Sequence, residues 1–580
     1  MLTYIYHSDK SKSMSKTKEL VTVVSNATVA KLIDAPRKAQ LQVAEMTSYT
    51  VTGYGATSFA RTTGWDGKKS FFSFKTQSFP AGFARNVVSR LKKLGYDVKW
   101  IKKPLPAPLG EVRPEVDEFG YTERYEYQPM TVDRLVKYGQ IIGSLATGAG
   151  KSRVARMAYK TVGRKTLFLT TRGVLMHQMK NNFEECLGES VGVIGDGEFS
   201  PNDNFNVGMV QTLSQGLEKK DFETELEREI SLEEDAMVRK VEAFKRSLTR
   251  KKTLSPTAVM SEVKKQREKL LKARPSDAEL VARVKDKVTR HNTRRVQIVE
   301  FLKSVEFLIL EEAHEAGSNE YFNVCMACSN AYYRLALTAT AFKRADAESN
   351  MRLMAVSGPI GITVTEKELI DLGVLSTPKF YYAPVQKVKG LYKSTGWQQA
   401  YKLGITGNDA RNQQIVEYAK VMAEYGLTTM TLVIHKEHGK LLKLMLQKAG
   451  LKASFIDGDA TQDERKAALN KLANGDVNVL IGTTILDVGV DVPSVGCVML
   501  AGGGKAEIAL RQRIGRGLRA KKSGPNICFV IDFEDRYNEH LTKHAVARRK
   551  IVHETPGFSE NVITDLNPAL YGFTKEKIAS

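Results

Sequence analysis

Residues 140–152 read Gln140-Ile-Ile-Gly-Ser-Leu-Ala-Thr147-Gly148-Ala149-Gly150-Lys151-Ser152, and a helical run, Arg153-Val-Ala-Arg-Met-Ala-Tyr-Lys160, follows. An apolar strand, a glycine-rich loop and a helix in that order form a phosphate cradle. Glycines let successive backbone N–H groups curl inward, and the helix N-terminus adds its dipole. Lys151 is placed to reach the β- and γ-phosphates and Ser152 to ligate Mg²⁺, with Thr147, Gly148, Ala149 and Gly150 forming the loop itself. The widest form of this pattern opens on Gly, where this chain has Leu145. ATP and Mg²⁺ are the implied cofactors.

Working outward, short apolar runs alternate with helical stretches at 165–170 (KTLFLT), 206–212 (NVGMVQT), 305–310 (VEFLIL) and 334–340 (RLALTAT). That alternation predicts a parallel, doubly wound sheet. A second series follows at 379–385, 428–435, 453–458, 477–483, 495–501 and 527–533. The expected fold class is α/β, with two tandem doubly wound domains over 124–358 and 359–545 and a C-terminal extension over 546–580.

Two segments break this rhythm. Residues 217–300 carry dense charge and apolar residues at helical spacing, without a strand run. Their front is acidic, and the stretch 244–300 holds 17 Lys+Arg against 6 Asp+Glu. Ser255-Pro256 and Arg274-Pro275 are natural helix breaks. The segment reads as a hairpin or three-helix arm whose acidic front can lie against its basic back. A positive face remains around Arg250, Lys251, Lys252, Lys264, Lys265, Arg294 and Arg295. Such an arm is a solvated insert, a DNA contact or a dock for a protein partner. The second segment, 19–101, reads as a small α+β unit after a tail at 1–18. Four prolines in 102–114 predict a semi-rigid linker over 102–123. In the small unit Trp65, Phe71, Phe72, Phe74 and Phe79 interleave with Lys68, Lys69, Lys75 and Arg85. The pattern suits base stacking with phosphate contact, and equally the core of a small domain. Trp65, beside Asp66-Gly67, is the ring expected to be exposed.

The chain has 580 residues and a formal net charge of +22. That surplus calls for a polyanion, and nucleic acid is the expected one. No apolar run approaches the ~18 residues of a membrane span. The N-terminus lacks the apolar core of a secretion signal, so a cytoplasmic protein is expected. Five cysteines exclude a disulfide scaffold. Cys325-Met-Ala-Cys328 has zinc-like spacing without a second pair, and reads as a buried helix turn.

Two further stretches carry chemistry. Residues 306–314 are an apolar strand ending in Glu311-Glu312-Ala-His314. They deliver two acids to the carboxyl edge of the sheet, where the phosphate loop also lies. One, Glu311, can hold the Mg²⁺ water shell, and the other, Glu312, can position the attacking water. Residues 512–519 read Gln512-Arg513-Ile-Gly515-Arg516-Gly-Leu-Arg519. Arg516 and Arg519, three apart, are either arginine fingers on the γ-phosphate or a basic face for DNA.

Together these stretches resemble superfamily-two helicases and translocases, in the family's order over residues 124–535. The resemblance implies two RecA-like domains with ATP between them, and it assigns further residues. Gln128, after Tyr127, matches the adenine-reading glutamine. Thr170-Thr171-Arg172 matches the first DNA-contact motif, and Val210-Gln211-Thr212 the strand motif before the insert. Thr338-Ala-Thr340 looks like the coupling motif, with His314 and Gln512 in the same role. Thr483 and Thr484 join the DNA contacts, and Gly489 and Asp491 the ATP set. Glu311 stands where the family usually has Asp, and the Arg expected just before Tyr127 is displaced to Arg124. In the N-terminal unit Gly64-Trp65-Asp66-Gly67, Phe79-Pro-Ala-Gly-Phe83 and Gly95-Tyr96 resemble the accessory domain of UvsW-like phage branch-migration helicases. The implied activity is ATP-driven remodelling of branched or duplex DNA: fork regression, Holliday-junction migration and displacement-loop dissociation. It would act in the host cytoplasm if the chain is phage-encoded, with Trp65, Lys68 and Lys69 on the DNA. An RNA helicase on the same core and the motor subunit of a restriction nuclease are the alternatives.

Overall fold

The alternation of apolar and polar residues in LVTVVS lays down the first strand of an N-terminal sheet, with Val21 and Val23 inside. The structure, a computed structural model, describes residues 18–575 apart from 52–61, 119, 251–254, 343–345, 484–494, 505–510, 512–513, 516, 522 and the side chains of His314 and Gln462. The N-terminal strands are β1 (Leu20–Ser25), β2 (Val29–Ile33), β3 (Ser48–Thr50), β4 (Lys68–Ser70), β5 (Ser78–Pro80) and β6 (Asp97–Lys102). Four of them form a sheet in the order β5-β2-β1-β6, and β3 pairs with β4. The helices Arg37–Met46 and Ala84–Lys93 bury Val43, Val87 and Leu91 in the unit's core.

This unit is docked on the next domain. Phe71 meets Phe322 in a tilted ring contact at 5.7 Å, Tyr49 donates to Glu348 at 3.0 Å, and Gln140 Nε2 donates to the Ala27 carbonyl at 2.7 Å. At Gly82 a Cβ would run into the Met354 carbonyl oxygen, so only glycine permits that approach. The proline-rich stretch is strapped along the first motor domain rather than spanning free space. Leu109 and Gly110 N–H groups donate to the Val162 and Thr161 carbonyls at 3.0 and 3.2 Å, and the Tyr333 hydroxyl donates to the Pro106 carbonyl at 2.6 Å.

The first motor sheet has eight strands: β7 (Gln140–Leu145), β8 (Thr166–Thr170), β9 (Val191–Gly195), β10 (Glu198–Ser200), β11 (Phe205–Met209), β12 (Phe307–Glu311), β13 (Tyr333–Thr338) and β14 (Ile360–Val364). Their order is β10-β9-β11-β8-β12-β13-β7-β14, and every pairing but β9–β10 is parallel. Apolar cores cover both faces, as a parallel sheet requires. Two expectations change. Strand β14 pairs with β7, so the first sheet runs past residue 358 to Val364. Residues 206–212 do not form one strand. Met209 lies level with Thr170, the last residue of β8, so the ladder ends there and Val210–Leu217 turn into a helix carrying Gln211 and Thr212.

The insert is three helices, Phe222–Arg250, Pro256–Lys272 and Asp277–Ser304. Pro256 sits at a helix start, where its missing N–H costs nothing, and Ser276 with Glu279 closes a capping box. The acidic front meets the basic back as the charge pattern suggests: Arg283 lies 3.2 and 2.9 Å from Glu229 and Glu233, and Lys287 lies 3.1 Å from Glu229. Ile298, Phe301 and Leu302 are buried in the motor core, so the last helix roots the arm. Lys251 and Lys252 lie outside the described residues.

The second sheet takes β15 (Thr377–Pro384), β16 (Thr429–Leu432), β17 (Ala453–Ile456), β18 (Val479–Gly482), β19 (Cys497–Met499), β20 (Ile527–Glu534) and β21 (Val562–Ile563) in the order β17-β18-β16-β19-β20-β15-β21. The expected extension is part of it, since β21 pairs with β15 and the helix Glu539–Glu554 crosses residue 545. Cys325 and Cys328 are buried, and burial pushes the Cys328 thiol up to about 12. No helix among the described residues is long and apolar enough to cross a membrane.

Candidate nucleotide site between the two sheets

Strand β7 delivers the chain to the carboxyl edge at Leu145. The loop turns through Gly148 (φ 90°) and Gly150 (φ 79°) into the helix Lys151–Val162. Both glycines sit in the left-handed region, and a Cβ at 150 would lie 2.5 Å from Gln128 Nε2. Lys151 Nζ rests 3.5 Å from the Leu145 carbonyl. Thr147 Oγ1 is buried without a hydrogen bond among the described residues. Inward N–H groups, the cation of Lys151 and the hydroxyl of Ser152 fit a nucleoside triphosphate, and the acids of β12 fit its Mg²⁺.

Strand β13 lies between β7 and β12, so register carries Glu311 to the edge that holds the loop: Glu311 pairs with Leu337, and Leu337 with Gly143. Glu312 follows in the left-handed conformation (φ 44°, ψ 49°), a strained placement costing roughly 1–2 kcal/mol. The turn Ala313–Glu315 continues from it, with Ala313 fully buried. Beyond β13, Thr338 Oγ1 donates to the Thr340 carbonyl at 3.3 Å and accepts from the Thr340 N–H at 3.2 Å. The His314 side chain lies outside the described residues.

Tyr127 and Gln128 seat the loop from below. The Tyr127 hydroxyl and Gln128 Nε2 both donate to the Ala149 carbonyl at 2.9 Å. Gln128 is 2% exposed, and its Oε1 accepts from Arg153 at 2.7 Å. Its amide therefore meets protein groups at both ends. Arg153 and Arg156 share Asp117 at 2.8 and 3.0 Å. Burial would raise that carboxyl, but the two guanidiniums hold it below its ordinary value. Asp117 comes from the proline-rich stretch, which the sequence reading treats as a spacer.

The second half approaches the phosphate loop at Gly515, where a Cβ would sit 2.6 Å from Thr147. Leu518 and Arg519 are tied to the crossover between the sheets: the Ser376 N–H donates to the Leu518 carbonyl at 2.6 Å and its hydroxyl to the Arg519 carbonyl at 2.8 Å. Burial holds the Arg519 guanidinium below its ordinary value, and Tyr125 pulls it part of the way back. Arg511 approaches Glu366 at 3.9 Å. Glu366 is 6% exposed; burial lifts its pKa while Arg511 and Lys151 pull it back. Neither Glu366 nor Arg511 is flagged by the motifs. Glu366 opens a capped helix (Thr365, Glu368), a signal that reports a helix start and no site. The approach Ala501–Gly504 is propped by two buried arginines: Arg411 donates to the Ala501 carbonyl and Arg548 to that of Gly504, and these pair with Asp535 and Asp532. Thr483, at the end of β18, is buried. Thr484, Gly489, Asp491, Gln512, Arg513 and Arg516 lie outside the described residues.

The expected DNA contacts split into three places, with Thr483 on the second sheet. Thr171, Arg172, Gln211 and Thr212 follow the ends of neighbouring strands β8 and β11. There Thr171 Oγ1 donates to Glu315, and Arg172 pairs with the same carboxylate at 3.1 Å. Glu315, another residue that the motifs miss, thus links those donors to the turn after Glu312. In the N-terminal unit Trp65 is half-buried, and its indole N–H donates to the Lys68 carbonyl at 2.9 Å. Lys68 and Lys69 are exposed. The well-exposed ring is Phe74, covered by Arg37 at 4.3 Å, because the indole N–H of Trp65 closes its own hairpin.

A family model described as "Type III restriction enzyme, res subunit" matches residues 122–239, and one described as "Helicase conserved C-terminal domain" matches residues 413–521. The chain is 28% identical over 238 residues to the putative ATP-dependent helicase IRC3 of Saccharomyces cerevisiae, covering 40% of this chain and 34% of that one. It is 24% identical over 260 residues to the ATP-dependent DNA helicase uvsW of Enterobacteria phage T4, covering 44% of this chain and 50% of that one. The chain thus spans a third to a half of these relatives. The crystal structure of T4 UvsW aligns with 94% of this chain and 99% of that one, at 17% identity and a TM-score of 0.40. The two domain matches, in order on one chain and each falling on a parallel sheet of its own, support an ATP-dependent superfamily-two helicase, resembling UvsW.

Proposed function

We infer that the chain couples ATP hydrolysis to movement on DNA and remodels branched DNA, through fork regression, junction migration and displacement-loop dissociation in the cytoplasm. The observation that supports it most is the close approach of Gly515 to Thr147, which brings the second half against the phosphate loop of the first. Lys151 binds phosphate, Ser152 and Glu311 hold the metal, and Glu312 orients the attacking water and accepts its proton. Mg²⁺, when bound, offsets phosphate charge. Arg516 and Arg519 place positive charge where the transition state develops negative charge. Tyr127, Gln128 and Arg153 report the state of the loop to the strap that carries Asp117. Thr171, Arg172, Gln211, Thr212, Thr483 and Thr484 contact the DNA. Hydrolysis alters their grip through Glu315, His314, Gln512 and the Thr338–Thr340 turn, and alternation between the halves yields a step. The cations of the arm that remain outside its ion pairs contact flanking DNA.

ATPase and unwinding on linear, forked and four-way DNA, with matched RNA, test this reading. It requires stimulation by DNA and faster work on branched forms. Stimulation by RNA alone overturns the DNA assignment. Unchanged DNA affinity after replacing 222–304 with a short Gly/Ser loop removes the arm's role.

A further inference from the structure

The amino edge of the first motor sheet, opposite the nucleotide loop, carries a cleft of about 470 Å³ between that sheet, the N-terminal unit and the strap. Its floor is the start of β7 at Gln140 and the residues just before β13 and β14, Tyr332 and Pro359. Its walls bring four cations and three aromatic rings together. Lys102 lies 5.6 Å from the Trp100 ring, Lys103 lies 5.4 Å from Tyr332, and Arg85 and Lys137 lie 4.1 and 5.4 Å from Tyr138. Among the described residues no Asp or Glu lines the cleft. Arg85 is half-buried there and, among the described residues, donates to the Tyr138 carbonyl alone, at 3.3 Å. A desolvated guanidinium without a carboxylate is unfavourable until an anion arrives.

We propose that this cleft binds a nucleic-acid strand, as a second site separate from the carboxyl edge where the motor grips its own strand. The chemistry selects that ligand. Four cations without an acid call for phosphate, and rings under those cations call for bases to stack on them. An apolar ligand would leave the cations unused, and a lone phosphate would leave the rings unused. The walls are preset: Gly82 is wedged on Met354, Gln140 holds Ala27, and the Trp100 indole is fixed by its 2.9 Å bond to Ser25 Oγ. Strand β7 has six residues, so roughly 20 Å of sheet separates this cleft from the Thr147 loop. The strand held here is therefore a different arm of the substrate from the one on the motor edge. This rests on DNA being the substrate.

The test uses the full chain with Lys102→Ala, Lys103→Ala and Lys137→Ala together. All three are exposed, so melting should stay near the parent's. The probe is fluorescein-labelled forked DNA, with linear oligothymidylate as comparison. The variant should bind the fork about tenfold more weakly or worse, and the slope of log affinity against log salt should shrink by about 2 to 3. Linear oligothymidylate should lose less. Photocrosslinking with bromodeoxyuridine in the fork should label Trp100, Tyr138 or Tyr332 in the parent. Equal fork affinity and equal salt slope, with no crosslink at those rings, overturn the proposal while leaving the motor's own DNA site intact. A parent that binds no DNA overturns it together with the DNA reading, and the parent's own affinity separates the two cases. Retention of dTMP by the parent alone, with equal fork binding, would overturn it in favour of a mononucleotide pocket.

Discussion

The two motor halves hold their chemistry by different means. In the first, backbone register does most of it: Glu311 and the Thr147 loop reach one edge because β12, β13 and β7 are hydrogen-bonded neighbours. In the second, the approach to the arginine helix rests on buried ion pairs, Arg411 with Asp535 and Arg548 with Asp532. Even a shared feature differs. The first half also buries an arginine, Arg334, but carbonyls of Ala331, Val356 and Cys328 hold it. Ladder hydrogen bonds survive the loss of one side chain. A buried ion pair does not, because removing one partner leaves a charge in a medium that cannot solvate it.

The largest effect expected tests the first half. Lys151→Ala should lower phosphate release by about 10²- to 10³-fold or more. Glu312→Gln should match that loss while fluorescent-nucleotide binding persists. Normal turnover in either variant would break the assignment of the acids and the cradle to this half. Arg519→Ala probes the other half: kcat should drop by a similar order while ATP affinity changes little, since a finger acts mainly in the transition state. Loss of DNA binding at normal kcat would instead make that helix a DNA face.

Arg548→Ala sharpens the contrast in stability. It leaves Asp532 buried without the Arg548 Nε–H that both of its oxygens accept, at a cost of about 3–5 kcal/mol. Denaturant unfolding should show that loss, and turnover should fall with it although residue 548 is remote from the phosphate loop. Glu315→Gln should be milder. It frees Arg172 and Thr171 from a carboxylate that competes with DNA phosphate, so DNA affinity measured by anisotropy should rise a few-fold.

The smallest effect is a pH dependence peculiar to the second half. His438 Nε2–H donates to Asn412 Oδ1 at 2.9 Å. Burial, then Arg411 and His435, push its pKa down to about 3. The unfolded chain titrates this group near 6.5, so between about 6.5 and 3 it binds the extra proton. His438 therefore contributes its stability in full above that range and loses it as pH falls through it. Calorimetry from neutral to mildly acidic pH should show the parent's melting temperature dropping more steeply than that of His438→Gln. Equal slopes would place the acid sensitivity elsewhere.

What the sequence by itself determined is whatever acts over a few residues. The strand–loop–helix of 140–152, the acids that end β12, and the helix starts at Pro256 and Ser276 follow from glycine freedom, periodicity and capping, all short-range. The arm's charge pairing was legible too, because complementary blocks on adjacent helices have one economical way to fold back. Tertiary structure alone decided the rest. Strand β14 joined the first sheet because β7 had an open edge, which no pattern in GPIGITV declares. Met209 ended its strand because β8 ended there. Glu366 with Arg511, Glu315 with Arg172, and Arg411 with Asp535 are each more than a hundred residues apart, and apart from Arg172 each residue alone reads as an ordinary surface charge. The ringed cleft is assembled from six separate segments. Such groupings exist only once the chain has closed on itself, since the energies that select them are contacts between distant residues that no local window contains.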